Sequence, residues 1–423
     1  MPIAFRFLIV GLILLLIDWY FYQSVIVVMK GASLSKRNLV FYIYWGITLF
    51  SALTLVSTLF IPLADWPKFV RIYVFAFVIM LLISKLIGSV FIALDDIIRL
   101  FRWIGSFLIK PAHADAVSGE VVKHGISRIE FLNRIAIGMA ALPFVSFLYG
   151  MAKGAFDYKI HHVKMVLPKL PSSFNGLKIV QISDIHSGSF VSTSPLESAV
   201  KMINEQKPDV VFFTGDLVND RSSEMEPFMN VLNKINAPYG VFSTLGNHDY
   251  GDYVTWDSQE AKFNNLEQLK KVHAELGWKL LMNEHVTLKK GEEEIAVIGI
   301  ENWGDKLHFP KYGDMAKAYA GAEKYPVKLL LSHDPSHWSN QVKKEYNDID
   351  VTFSGHTHGF QFGIEIPGFK WSPSQYVYKQ WAGLYKDPVT EQHLYVNRGL
   401  GFLGYPGRVG IMPEITVMEL YNT

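Results

Sequence analysis

Five short segments of this 423-residue chain carry residues able to bind metal ions: Ser183-Asp184-Ile185-His186, Thr214-Gly215-Asp216, Gly246-Asn247-His248-Asp249, Ser332-His333-Asp334-Pro335 and Gly355-His356-Thr357-His358. Singly, a D-x-H or G-D pair is common and a His between glycines can be a turn. Together they are hard to explain as core packing, because buried Asp and His are costly without partners and a pair of divalent cations supplies that compensation. The chain has no Cys, so disulfides and thiolate ligands are excluded and any metal is held by His and oxygen donors.

Each segment follows a short apolar run that reads as a buried strand: Leu177–Ser183, Asp209–Gly215, Gly240–Gly246, Lys328–His333 and Asp350–Gly355, with further runs at Ile295–Ile300 and Leu394–Gly399. Helical stretches are expected at Ser194–Gln206, Ser223–Lys234 and Gln259–Leu276. Open α/β sheets bind ligands at the carboxyl ends of their strands, so segments far apart in sequence can converge there.

The motifs "SDIH", "TGD", "GNHD", "SHDP" and "SGHTHG" resemble those of the calcineurin-like metallophosphoesterases, and the closing "VNRGLGFLGYPGRVGIMPEITVMEL" resembles the bacterial membrane-anchored branch. The resemblance implies an α/β fold, a four-layer α/β/β/α sandwich, over residues 170–423. It implies that Asp184, His186 and His358 hold a first metal, that Asn247, His333 and His356 hold a second, and that Asp216 bridges both. A carboxylate can bind two cations and an imidazole one, in accord with that division, and mixed N/O ligation suits manganese, iron or zinc. Two such ions would activate a bridging hydroxide for in-line attack on phosphorus. His248 would protonate the leaving group, with Asp249 orienting its ring. Where the branch has Gly-Gly-Gln after its last His, this chain has Gly359-Phe360-Gln361. Phe360 is therefore a candidate determinant of substrate choice, and Arg398 and Arg408 are candidate contacts to phosphate oxygens. His308 and His337 lie near the motifs, with surface or core roles as the plainer alternative.

The N-terminal third differs in character. Apolar runs at Ile3–Met29, Leu39–Leu63 and Val70–Leu94 are long enough to cross a bilayer, and Ile135–Met151 is a shorter fourth carrying Pro143. Residues 1–152 thus read as a membrane domain with four transmembrane helices, and 153–169 as a linker. Lys30, Lys36 and Arg37, and then Arg99, Arg102, Lys110, Lys123, Arg128 and Arg134, occupy loops one and three, against Lys68 and Arg71 in loop two. The positive-inside rule then places both termini and the catalytic region outside the cytoplasm of a bacterial inner membrane. Ser127–Leu132 resembles a twin-arginine export signal, departing from it at Ile129; an amphipathic helix leading into a span is the alternative. Trp371, Tyr376, Tyr378, Trp381 and Tyr385 among Lys370 and Lys379 read either as an interfacial segment or as a hairpin packed on the domain.

Forty basic and thirty-nine acidic residues give a net charge of +1, which excludes a nucleic-acid partner held by bulk charge. The partners expected are a bilayer and a phosphoester or pyrophosphate, lipid-linked ones included. Two further readings are a UDP-2,3-diacylglucosamine-type pyrophosphatase, which needs a cytoplasmic site, and a non-catalytic metal- or phosphate-binding receptor.

Overall fold

Long apolar sequence with few helix breakers forms four helices: α1 (Ile3–Val28), α2 (Leu34–Ser57), α3 (Phe75–Leu108) and α4 (Arg128–Ala152). These come from a computed structural model that describes residues 3–61, 66–108, 128–306 and 309–423; Lys110, Lys123, Ser127 and His308 lie outside the described residues. Together with the π-helical turn Val70–Val74 before α3 and the 3₁₀ turn Gly154–Phe156 after α4, these helices give stretches long and apolar enough to cross a membrane at Gly11–Val28, Leu34–Ser57, Val70–Phe107 and Ile129–Phe156. Pro143 is accommodated inside α4. The one acid within the first run, Asp18, is buried and ion-paired with Lys85 of α3. Lys85 also donates to Thr48 Oγ1 (3.2 Å), and the Tyr44 hydroxyl donates to the Asp18 carbonyl (2.7 Å). A charge in an apolar span is tolerated when its partner is built in.

The chain divides into two compact units, Met1–Leu148 and Tyr149–Thr423. In the second unit, β1 (Lys159–Val166), β2 (Leu177–Ile182), β3 (Val210–Thr214), β4 (Val241–Thr244), β5 (Trp278–Leu280) and the C-terminal β14 (Glu414–Tyr421) form a sheet in the order β1-β14-β2-β3-β4-β5. The other large sheet, ordered β12-β13-β9-β8-β7-β6, contains β6 (Glu284–Lys290), β7 (Glu293–Gly299), β8 (Lys328–Leu331), β9 (Val351–Ser354), β12 (Gly383–Lys386) and β13 (His393–Val396). A separate ribbon pairs β10 (Ile364–Ile366) with β11 (Phe369–Trp371).

Side chains alternate along each strand, so one set faces each layer. Ile179, Val210 and Phe212 meet Val297, Leu329, Leu331 and Phe353 between the sheets. Val180, Ile182, Val211 and Phe213 pack on Leu196, Ile203 and Val272 of the helices Ser194–Glu205 and Gln259–Glu275. On the far side, Ile298 and Leu330 pack on Met315, Trp338 and Val342. The result is the four-layer α/β/β/α sandwich. β3 is buried at every position, as a parallel strand covered on both faces should be.

Two segments differ from the sequence reading. Within 223–234 only Met229–Leu232 is α-helical, preceded by a 3₁₀ stretch over Ser222–Phe228; Pro227 lacks an amide donor and disfavours α geometry in the residue before it. Within 153–169, Lys159–Val166 is an edge strand in parallel register with the C-terminal strand, Lys159 opposite Glu414 and Val166 opposite Tyr421. Its alternating polar residues suggest a tether, and its partner lies at the other end of the chain.

Candidate metal centre

All five motif segments leave the carboxyl ends of strands on one edge of the sandwich. Asp184, Asp216, His333 and His356 each stand two residues past β2, β3, β8 and β9, and Asn247 three past β4. Asp184, His186, Asp216, His356 and His358 all have left-handed backbones, with φ between 49 and 72°. Non-glycine residues seldom adopt that region, and such strain collects at functional sites. Here it turns the chain sharply enough for side chains two residues apart to face a common point.

The donors form two groups, Asp184, His186 and His358, and Asp216, His333 and His356, each with its potential ligand atoms within 4.8 Å of one another. In the first, His358 Nε2 is 3.3 Å from Asp184 Oδ1 and 3.1 Å from His186 Nε2. In the second, His356 Nδ1 is 2.8 Å from Asn247 Oδ1 and 3.2 Å from His333 Nε2. Asp216 joins the two: its Oδ2 lies 3.5 Å from His186 Nε2 and 3.2 Å from His333 Nε2, while its Oδ1 accepts the His248 backbone N–H (2.9 Å).

Hydrogen bonds behind the second group fix which atoms face inward. His333 Nδ1 is 2.7 Å from the Thr214 carbonyl, to which only an N–H can donate, so Nε2 presents its lone pair when the ring is neutral. Asn247 Nδ2 donates to the Tyr253 hydroxyl (2.9 Å), which turns Oδ1 toward His356. The Tyr378 hydroxyl donates to Asp334 Oδ2 (3.2 Å) and accepts from His356 Nε2 (2.8 Å), leaving Nδ1 as an acceptor. Acceptor atoms are thus aimed at one another in a buried site, an arrangement that fits divalent cations.

The electrostatics agree. Burial pushes the Asp184 carboxyl up to about 6, and burial drives the His186 imidazole down to about 3 and His356 to about 4. For His333, burial is outweighed by Asp216, which raises it to about 10, while Asp216 is held well below the usual carboxylate range. Asp216 thus favours positive charge 3.2 Å away at His333 Nε2, the charge a cation there would supply.

Other expected site residues are placed differently. The Asp249 carboxylate does not meet the His248 ring: it accepts backbone N–H groups of Asp216 and Leu217 (2.8 Å each), Val218 (3.2 Å) and Gly246 (2.9 Å). A fully buried acid is satisfied by this crown of amides and clamps the Asp216 loop to the Asn247 loop. His248 Nδ1 instead meets the Asn219 carbonyl at 2.8 Å, and its ring is partly exposed. Arg398 is directed to Glu414 and Glu365, and Arg408 is buried with its guanidinium on the Gly399 and Gly401 carbonyls and 3.3 Å from His358 Nδ1. Both guanidinium groups are buried and engaged by partners inside the fold. His337 is an enclosed core residue between Ser332 Oγ and Gln341. Phe360 is 65% exposed beside His358, with φ 57°.

Asn219 and Tyr253 carried no sequence signal, since each is an ordinary residue outside the motifs, and Tyr378 stood out only as part of the aromatic segment, not as a partner of His356. Asp334 stood within "SHDP", where its aspartate was the available clue.

Fold and site define a two-sheet α/β domain with two clusters of potential metal ligands, preceded among the described residues by helices able to cross a membrane. Residues 177–360 match the family described as "Calcineurin-like phosphoesterase", and residues 5–155 match "Probable Calcineurin-like phosphoesterase, transmembrane domain". An uncharacterized metallophosphoesterase of Bacillus subtilis is 31% identical over 283 residues, 65% of this chain and 90% of that protein. The transmembrane protein with metallophosphoesterase domain of Danio rerio is 33% identical over 282 residues, 64% of this chain and 60% of that protein, so this chain spans well under two thirds of it. The UDP-2,3-diacylglucosamine pyrophosphatase of Chlamydia muridarum is 30% identical over 305 residues, 62% of this chain and 88% of that enzyme. The chain belongs to the calcineurin-like metallophosphoesterase family.

Proposed function

We propose that this protein hydrolyses a phosphodiester or pyrophosphate, of a lipid or cell-envelope precursor, at a two-metal site. The observation that carries this reading is Asp216 Oδ2, which stands within 3.5 Å of donors from both groups. Asp184, His186 and His358 would hold one ion, Asn247, His333 and His356 the other, and Asp216 both; manganese, iron and zinc suit the donor set. When bound, such a pair supplies Lewis-acid charge for phosphoryl oxygens and acidifies a water.

The chain supplies the rest. Asp249 keeps the loops of Asp216 and Asn247 in register. His248 donates its Nδ1 proton to the Asn219 carbonyl, which holds the ring in place and leaves Nε2 to carry a proton to the leaving oxygen. Residues 1–152 serve as the membrane region and the sequence from Lys159 onward as the catalytic region. The loop charges favour a bacterial inner membrane with the catalytic region outside.

A second reading, a UDP-2,3-diacylglucosamine-type pyrophosphatase, is favoured by the Chlamydia relative, which this chain covers over 88% of its length. The full chain in nanodiscs, loaded with Mn²⁺, should be assayed on aryl phosphomonoesters and diesters, nucleotide sugars and polyprenyl pyrophosphates. Faster turnover of diesters or pyrophosphates than of monoesters is expected. Preference for monoesters, or no turnover with two metals bound, overturns the proposal, and selective cleavage of the acylated UDP-sugar moves it to the second reading.

A further inference from the structure

The β10–β11 ribbon begins six residues after His358 and has two unlike faces. Its register pairs Ile364 with Trp371, Glu365 with Lys370 and Ile366 with Phe369. Alternation along a strand therefore gathers Ile364, Ile366, Phe369 and Trp371 on one face and Glu365 and Lys370 on the other.

The polar face is tied down. Glu365 accepts from Arg398 Nε (3.0 Å), Arg398 is itself held by Glu414, and Lys370 donates to the Ala382 carbonyl. The segment that follows is fastened to the loop of His356 and His358: Ser372 Oγ donates to the Gly359 carbonyl (2.7 Å), and Thr357 Oγ1 donates to the Trp381 carbonyl (2.6 Å). These contacts fix the ribbon in place, with Glu365 and Lys370 still exposed beside it, Trp371 half-buried and the rest of the apolar face in solvent. Ile364, Ile366 and Phe369 are 48%, 58% and 53% exposed, and Phe360 and Tyr376 beside them are 65% and 76% exposed. By contrast Tyr378 and Trp381 are buried, at 7% and 3%, so the aromatic segment splits into an inner set and an outer set.

Isolated exposed apolar residues need no explanation, but a rigidly presented apolar ribbon beside an active site does. Two three-residue strands are small beside the roughly 800 Å² per partner that a stable protein interface buries. A bilayer needs only a few inserted side chains when the protein is already anchored there, and four helices among the described residues are able to cross one. Trp371, whose indole N–H donates to the Tyr376 hydroxyl (3.4 Å), and the exposed Lys379 are residue types that settle at headgroup depth.

We propose that the apolar face of the β10–β11 ribbon, together with Phe360 and Tyr376, inserts into the headgroup region of the bilayer that anchors the chain. This surface presents the neighbouring site to phosphoesters lying at headgroup depth. Insertion rests on the spans and the ribbon, and the substrate consequence alone rests on the proposed activity.

Because the chain has no Cys, single cysteines can be labelled without background. The full chain would carry a nitroxide at Ile366→Cys, Phe369→Cys or Tyr376→Cys, with Val389→Cys, at an 87% exposed position, as the reference. One copy per nanodisc of phosphatidylcholine and phosphatidylglycerol excludes a second copy as the cover. The ratio of oxygen to water-soluble nickel accessibility should rise several-fold at 366 and 369 over 389, with 376 between. Equal ratios at all positions overturn insertion, as does protection that appears only with two copies per disc. Retained metal confirms the fold of each labelled chain, and the three positions are independent if one fails to fold. Insertion without phosphoesterase turnover leaves the docking surface standing and rejects the activity.

Discussion

His248 Nδ1 lies 2.8 Å from the carbonyl oxygen of Asn219, while the Asp249 carboxylate next to it in sequence faces a crown of backbone amides. Two adjacent residues thus have separable roles. His248→Ala should lower kcat by about 10²- to 10⁴-fold, the usual contribution of a positioned acid, with two metals per chain retained. Asp249→Ala should strip four amides of their acceptor, cost about 1–3 kcal/mol or more, and reduce metal content. Metal analysis beside single-turnover kinetics separates them; loss of metal in the His248 variant would assign it as a ligand.

Gly246 permits a close approach in the site, because a Cβ there would overlap the Asp216 carboxylate. Gly246→Ala should displace Asp216 and lower metal stoichiometry, with the far-ultraviolet circular dichroism of the chain preserved. An Ala variant with full metal content would show that the loop yields.

Phe360 has φ 57° between Gly359 at 53° and Gln361 at 55°. A side chain in that conformation costs on the order of 1 kcal/mol, and glycine avoids the cost. Phe360→Gly should therefore be more stable than Phe360→Ala by about 1 kcal/mol in denaturant titration, although both remove the same ring. Equal midpoints would place the strain elsewhere.

Glu414 is buried, and although burial opposes ionisation, Arg398 and neighbouring hydroxyls hold it down to about 2, against an ordinary 4.5. A depressed carboxyl stabilises the fold above its unfolded value and loses that contribution as pH falls through its folded value. A shift of that size corresponds to on the order of 3 kcal/mol. Stability should fall between about pH 4.5 and pH 2, and Glu414→Gln should be weaker at pH 7 with a flatter acid slope. An unchanged slope would move the acid sensitivity to another group.

β1 is joined to β14 along its full length, Lys159 through Val166. A chain shortened to begin at Asp157 should remain monomeric, whereas one beginning at Pro168 exposes the β14 edge and should associate or aggregate. Light scattering of the two decides; identical behaviour would show that β1 is dispensable.

Much of this molecule was written locally. Continuous apolar runs of 18 residues or more dictate helices able to span a bilayer, and uniformly buried β3 reads as a covered parallel strand from its sequence alone. The metal-binding motifs were legible because residues with costly side chains recur just past such runs. What the sequence could not contain was pairing between distant parts. The partner of β1 is some 250 residues away, Lys85 answers Asp18 across separate helices, and Tyr378 reaches His356 from outside every motif. Neighbours in sequence misled for the same reason: Asp249 adjoins His248, but the crown of amides takes one side chain and the Asn219 carbonyl the other. Residue type determined which atoms could bind metal or face lipid. Only the packing of two sheets decided which faced one another, because convergence of loops depends on strand order and register rather than on spacing along the chain.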